Sequence, residues 1–218
     1  MPLLHPVAMD WSTPRRPALK PAVFVDPCVP TLTKVPPTGP AWIHEIKHDG
    51  YRMLIWREGE RVRLFTRRGF DWTDRYPWIV HSAAKLRVNR FLIDGEAVVC
   101  GDDGVSDFGL LHSREHDESV FLYAFDLLAM DGVDIRGERL DDRRTKLRYL
   151  LDDPAGVRFS DHHAGDGEVM FRKACEVGLE GIVSKRRDAP YRSGRSKTWL
   201  KVKNPASPAM RRLEDAEW

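Results

Sequence analysis

The sequence predicts an α+β fold in which most strands pair antiparallel. Three observations carry that expectation. Short apolar runs are punctuated by Asp-Gly turn signals at Asp49-Gly50, Asp103-Gly104 and Asp131-Gly132. Helical patterns fall between groups of strands, an order that reads as α+β. No stretch repeats itself at a fixed period.

Taken in chain order, residues 1 to about 40 hold Pro14, Pro17, Pro21, Pro27, Pro30, Pro36, Pro37 and Pro40 without hydrophobic periodicity, so they read as an extended arm. Strands are expected over 42–48, 51–57 and 61–66. In the last, Val62, Leu64 and Thr66 alternate with Arg61, Arg63 and Phe65. The first two flank Asp49-Gly50 and read as strand, turn, strand. A helix is expected from Tyr76 to Arg87. Residues 91–100 read as a strand interrupted at Asp94-Gly95, with a β-bulge as the plain explanation. A long apolar strand over 119–128 ends at Asp131-Gly132. Two helices follow: 141–151, with Leu147, Leu150 and Leu151 on one side, and 166–177, stopped by Gly178. Strands at 181–185 and 198–203 complete the set. The expected division is an arm over 1–24, a folded domain over 25–205 and a tail over 206–218.

Composition narrows the class. A chain of 218 residues that is 42% hydrophobic can bury a real core. No run approaches the roughly 18 apolar residues of a membrane span. Met1 to Pro6 lack the charged and apolar regions of a signal peptide. Cys28, Cys100 and Cys175 are odd in number, far apart and without a CxxC pair. They predict reduced thiols in a cytoplasm rather than a disulfide framework or zinc site. The net charge of +2 hides an uneven distribution: ten Lys or Arg stand against Asp188 alone between Ser184 and Arg212. Interleaved with Tyr191, Gly194 and Trp199, that run suits a phosphate backbone better than solubility alone.

Lys47 is the sharpest anomaly. It stands between Trp42-Ile43 and the apolar run Met53 to Trp56, so it is expected to be partly desolvated, with Asp49 and Arg52 close by. Desolvation and a neighbouring cation lower a lysine's pKa and leave an amine able to attack phosphorus or carbonyl carbon. The planar fork of Arg52 suits a phosphate. A surface hairpin with ordinary charges is the plain alternative. Yet the anomaly recurs at Asp94 and Glu96, at Glu180 and Lys185, and at Lys201 and Lys203, which alternate with Leu200 and Val202 and so share a face. Carboxylates and lysines gathered on one sheet surface are costly to desolvate unless something neutralises them. A nucleoside triphosphate with a divalent cation does so.

Five segments then fall into a known order. They are Lys47-His48-Asp49-Gly50-Tyr51-Arg52, Asp94-Gly95-Glu96, Phe121 to Asp126, Glu180 to Lys185, and Trp199 to Lys203. In type and order they resemble the motifs of covalent nucleotidyltransferases, and the chain resembles the adenylation domain of ATP-dependent DNA ligases. The likeness is strongest to bacterial ligases associated with end-joining repair. Leu64 to Gly69 and Tyr191 to Ser196 fit the ligase branch, and the resemblance covers residues 25 to 205.

The resemblance implies a nucleotidyltransferase (ATP-grasp-like) fold, with antiparallel sheets, flanking helices and a nucleotide cleft between them. It implies ATP and Mg²⁺ or Mn²⁺ as cofactors, nicked double-stranded DNA as substrate, and other end-joining repair proteins as partners. It further implies a monomer in the bacterial cytoplasm. Lys47 would become linked to AMP, Glu45 would contact adenine and Phe125 would stack on it. Glu96 would hold a ribose hydroxyl or a metal-bound water, and Glu180 the metal. Arg52 and Arg67 would bind AMP phosphate or ribose, and Lys201 and Lys203, with Arg195, the α-phosphate. Such ligases continue into an oligonucleotide-binding (OB) barrel, whereas 15 residues follow Lys203, so no barrel is expected here. An RNA ligase, a GTP-using capping enzyme and a non-sealing accessory module remain the alternatives. His162-His163 lacks a third ligand and reads as a solvated loop.

Overall fold

The structure, a computed structural model, describes residues 24–151 and 155–210. The expected arm up to residue 23 and the tail from 211 lie outside the described residues. Eleven strands among them form two sheets. The first sheet holds β1 (Cys28–Leu32), β2 (Trp42–Ile46), β9 (His162–His163), β10 (Gly181–Arg186) and β11 (Gly194–Lys203), in the order β1-β11-β10-β2-β9. The second runs β4 (Arg61–Thr66), β3 (Tyr51–Glu58), β5 (Arg90–Val98), β6 (Phe121–Met130), β7 (Val133–Asp134), with β8 (Val157–Phe159) also on β6. Helices α1 (Pro77–Ala84), α2 (Phe108–Ser113), α3 (Leu140–Leu150) and α4 (Gly167–Glu176) complete the fold.

The expected α+β architecture with antiparallel sheets is present; β1 on β11 and β8 on β6 are the parallel exceptions. Strand β3 shows why two sheets face each other. Its run Met53 to Trp56 is buried on both faces. Met53 and Ile55 point to an outer core with Leu64, Ile79, Ile93 and Leu147, while Leu54 and Trp56 point to an inner core with Phe65, Phe125, Leu128 and Trp199. A strand covered on both sides needs no polar alternation. Each fully buried aliphatic or aromatic side chain contributes about 1.5–3 kcal/mol. A third, smaller core seats α4 on the first sheet through Ala174, Ile182 and Val202. Asp166 caps α4, accepting from Glu168 N at 2.8 Å, and Gly178 leaves it at φ 76°.

Four local expectations are corrected. Residues 42–57 are not a hairpin: β2 pairs with β10 and β9, β3 with β4 and β5, so the chain crosses between sheets at Lys47 to Gly50. Long-range pairing outweighs the local Asp-Gly signal. The proline-rich stretch up to residue 40 contains β1, a strand that tolerates Pro30 because it lies at a sheet edge and shifts register there. Strand β5 is continuous through Asp94-Gly95, and the irregularity is taken up by its neighbour. Asp94 pairs with Asp126 and Gly95 with Ala124, which leaves Phe125 as the extra residue of a bulge. Finally, His162-His163 is a short edge strand on His44 and Glu45 rather than a loop.

Candidate active site

The cleft between the sheets is built by strand register. Glu45 of β2 lies opposite Val183 of β10, which lies opposite Lys201 of β11, and all three line a cavity of about 170 Å³. One step further, Lys47 N donates to Gly181 O at 3.0 Å, and Gly181 is opposite Lys203. Glu180, just before β10, therefore meets both lysines. It forms a close ion pair with Lys47 Nζ, and Lys203 Nζ lies 3.8 Å from its other oxygen. Two glycines allow this approach. A Cβ at Gly50 would stand 2.2 Å from Ala97 O, and one at Gly181 (φ 142°) 2.0 Å from Val202 O.

The facing sheet supplies the opposite wall. Arg52 of β3 grips Asp94 of β5 with Nε and Nη2, both at 2.6 Å. Tyr191 Oη donates to the same carboxylate at 2.6 Å and accepts from Cys28 N at 2.8 Å. Asp94 is fully buried, so these donors replace its water. Burial opposes the Arg52 charge, but Asp94 more than restores it and raises the pKa. The bulge turns Phe125 to the inner side, where the Arg52 guanidinium lies 4.4 Å and Lys185 Nζ 4.2 Å from its ring centre.

At the far end, Glu45 is 2% exposed. Its Oε1 accepts from Arg144 Nη1 at 2.6 Å and its Oε2 from Lys185 Nζ at 2.9 Å. Burial pushes the Lys185 pKa down while Glu45 pulls it up, with a net lowering. Near Lys47 the charges are less enclosed. Burial lowers the pKa of Lys201, with Lys47 and Lys203 adding to the effect. Burial pushes Glu96 up to about 7; Lys47 and Arg52 oppose the rise, and Glu180 adds to it. His48, stacked on Tyr123 at 4.0 Å, is held down at about 4 by burial and by Lys47. It is neutral at neutral pH.

Of the residues singled out from the sequence, Lys47, Glu45, Arg52, Arg67, Glu96, Phe125 and Lys201 line the cavity. Glu180 and Lys203 adjoin it through the Lys47 ion pair. Arg195 does not: it is exposed on β11 opposite Val29. Its β1 partner Val29 lines the cavity, so Arg195 stands on the strand beside it with its own side chain in solvent. The sequence expected Asp49 and Arg52 beside Lys47; its direct side-chain partner is Glu180. Among the described residues no group of three His, Cys, Asp or Glu could hold a metal. Glu96 and Glu180 nevertheless suit Mg²⁺, which takes one or two carboxylates and completes its shell with phosphate oxygens and water.

Arg144 belongs to no motif, yet the sequence carries a signal for it: Leu140, Leu147 and Leu150 mark the inward stripe of α3, and residues 143 and 144 fall on it. Arginines at core positions of an amphipathic helix require buried partners, and both have them.

Two facing sheets with a lysine at the crossing between them, backed by carboxylates and further cations, define a nucleotide cleft of the covalent nucleotidyltransferase kind. The profile of the ATP-dependent DNA ligase domain matches residues 26–203, and the chain belongs to that family. It is similar to the multifunctional non-homologous end joining protein LigD of Pseudomonas aeruginosa, with 38% identity over 185 residues, 83% of this chain and 22% of that protein. The crystal structure of the ligase domain of M. tuberculosis LigD superimposes with a TM-score of 0.74 at 35% identity, over 82% of this chain and 60% of that one. A mycobacterial DNA ligase D complexed with ATP and MES gives 0.73 at 34% identity, with the same coverage. The chain thus spans about a fifth of the curated LigD proteins it matches.

Proposed function

We propose that this domain adenylates itself on Lys47 and passes AMP to DNA in end-joining repair. The pairing of Lys47 with Glu180 at the open end of the cavity, flanked by Lys201 and Lys203, is the observation that carries the reading. Lys47 Nζ forms a bond to the α-phosphorus of ATP as the bond to pyrophosphate breaks. Glu180, already on Nζ, is placed to hold the proton that the amine must release. Lys201, Lys203 and Arg67 offset the charge that builds on the α-phosphate. Arg52, fixed by Asp94, lines the cavity and places its positive charge beside the phosphate. The aromatic face of Phe125 serves the base and Glu96 a ribose hydroxyl or metal-bound water.

Mg²⁺ or Mn²⁺ held by Glu96 and Glu180 would neutralise phosphate oxygens. AMP then moves from Lys47 to the 5′-phosphate of a nick, and the adjacent 3′-hydroxyl displaces it and seals the strand. The names of the LigD relatives favour end joining, and the basic residues after Ser184 suit the DNA backbone. The test is a chase. Protein incubated with labelled ATP and Mg²⁺ or Mn²⁺ is expected to take up label and, on addition of nicked duplex, to release it onto the DNA 5′ end. Label taken only from GTP, or retained in the presence of the nick, would contradict the proposal.

A further inference from the structure

Arg144 is 3% exposed and lies behind the cavity wall, which it does not line. Its guanidinium joins the two sheets. Nη1 donates to Glu45 Oε1 at 2.6 Å and to Phe125 O at 3.0 Å, while Nη2 donates to Ser160 O at 2.7 Å and stands 3.2 Å from His162 Nδ1. It thus fixes at once a carboxylate of the first sheet and the backbone of the bulged aromatic residue of the second. The other oxygen of Glu45 is held by Lys185 Nζ at 2.9 Å and by Ser160 Oγ at 3.4 Å. Lys185 Nζ in turn sits 4.2 Å and 4.1 Å from the ring centres of Phe125 and Trp199. That enclosure restricts its direction.

Glu45 and Lys185 both line the cavity, so its closed end presents an acceptor beside a donor. The edge of a 6-aminopurine is the complement, with an amine hydrogen next to the N1 lone pair. A 6-oxopurine carries the reverse, an oxygen next to N1–H. A site whose buried polar groups are left unmatched rejects the wrong edge strongly.

We propose that Arg144 is a positioning residue that sets the preference for 6-aminopurine nucleotides by fixing Glu45 against Lys185. The inference rests on the adenylation reading above. The test measures the KM of ATP for adduct formation, and the inhibition constant of inosine triphosphate as its competitor, in wild type, Arg144→Met and Arg144→Lys. Arg144→Met is expected to raise the KM for ATP about 10- to 100-fold, the range for one hydrogen bond to a charged group. The inosine nucleotide should bind nearly as before, so the discrimination collapses, and Arg144→Lys should restore part of it. Equal losses for both nucleotides would show a purely structural role and overturn the proposal, as would no change for either. Should Arg144→Met fail to fold by circular dichroism, Arg144→Lys carries the test, because a single point donor replaces the planar fork, and unchanged discrimination in that variant overturns the proposal. A wild-type protein that forms no adduct would instead remove the adenylation reading itself.

Discussion

The two ends of the cavity hold similar charges in opposite ways. At the closed end, Glu45, Arg144 and Lys185 are almost wholly buried and each polar contact is directional. Arg52, Asp94 and Tyr191 repeat the pattern on the facing sheet. At the open end, Lys47 and Lys203 keep 21% of their side-chain surface exposed and share a single carboxylate, Glu180. Buried pairs are costly to make and costlier to break, so they suit a wall that must not move. Partly exposed lysines on one carboxylate can exchange partners when a polyanion arrives. The closed end fixes geometry; the open end is free to do chemistry.

That contrast can be broken by mutation, most strongly at the closed end. Asp94→Ala leaves the Arg52 guanidinium buried without its carboxylate and is expected to cost about 3–5 kcal/mol of stability, read from denaturant unfolding. A loss under about 1 kcal/mol would mean the wall is less committed than its hydrogen bonds indicate. Lys201→Met should do the reverse, slowing adduct formation about 10²- to 10³-fold with little change in the unfolding midpoint. Similar rates in mutant and wild type would remove Lys201 from the phosphate site.

A gentler probe is pH. An ordinary glutamate titrates near 4.5, and Glu96 is raised to about 7. Between those values the folded protein holds a proton that the unfolded chain has lost. This group's contribution to stability is therefore complete below about 4.5 and lost as pH rises through about 7. Thermal unfolding of the metal-free protein should show wild type losing stability relative to Glu96→Gln across that window; parallel curves would place Glu96 in a wetter site. The smallest effect is expected at the surface, where Arg136→Ala removes an exposed pair with Asp134 and should change stability by about 0.5 kcal/mol or less.

The open end was legible in the sequence because lysines and carboxylates inside apolar runs have no cheap structural explanation. The residues that line the cleft therefore announced themselves one strand at a time. At the closed end Glu45 and Lys185 were singled out too, but Arg144 and the pairings were not legible, because Arg144 and Lys185 reach Glu45 across 99 and 140 residues of sequence. Read locally, Asp141-Asp142-Arg143-Arg144 looks like the solvated face of a helix. Only the position of the arginines on the Leu140, Leu147 and Leu150 stripe says otherwise. Likewise the Asp-Gly signal at Asp49-Gly50 marks a real turn of the chain, but which sheet receives the next strand depends on β10 and β5. No local pattern encodes that choice.

Attachment of AMP to Lys47 is tested most directly by incubating the protein with ATP and Mg²⁺ or Mn²⁺, digesting it, and mapping the adenylated peptide by mass spectrometry. One AMP is expected on the peptide carrying Lys47 and none in Lys47→Ala. An adduct on another residue, or no adduct with either metal, would contradict it.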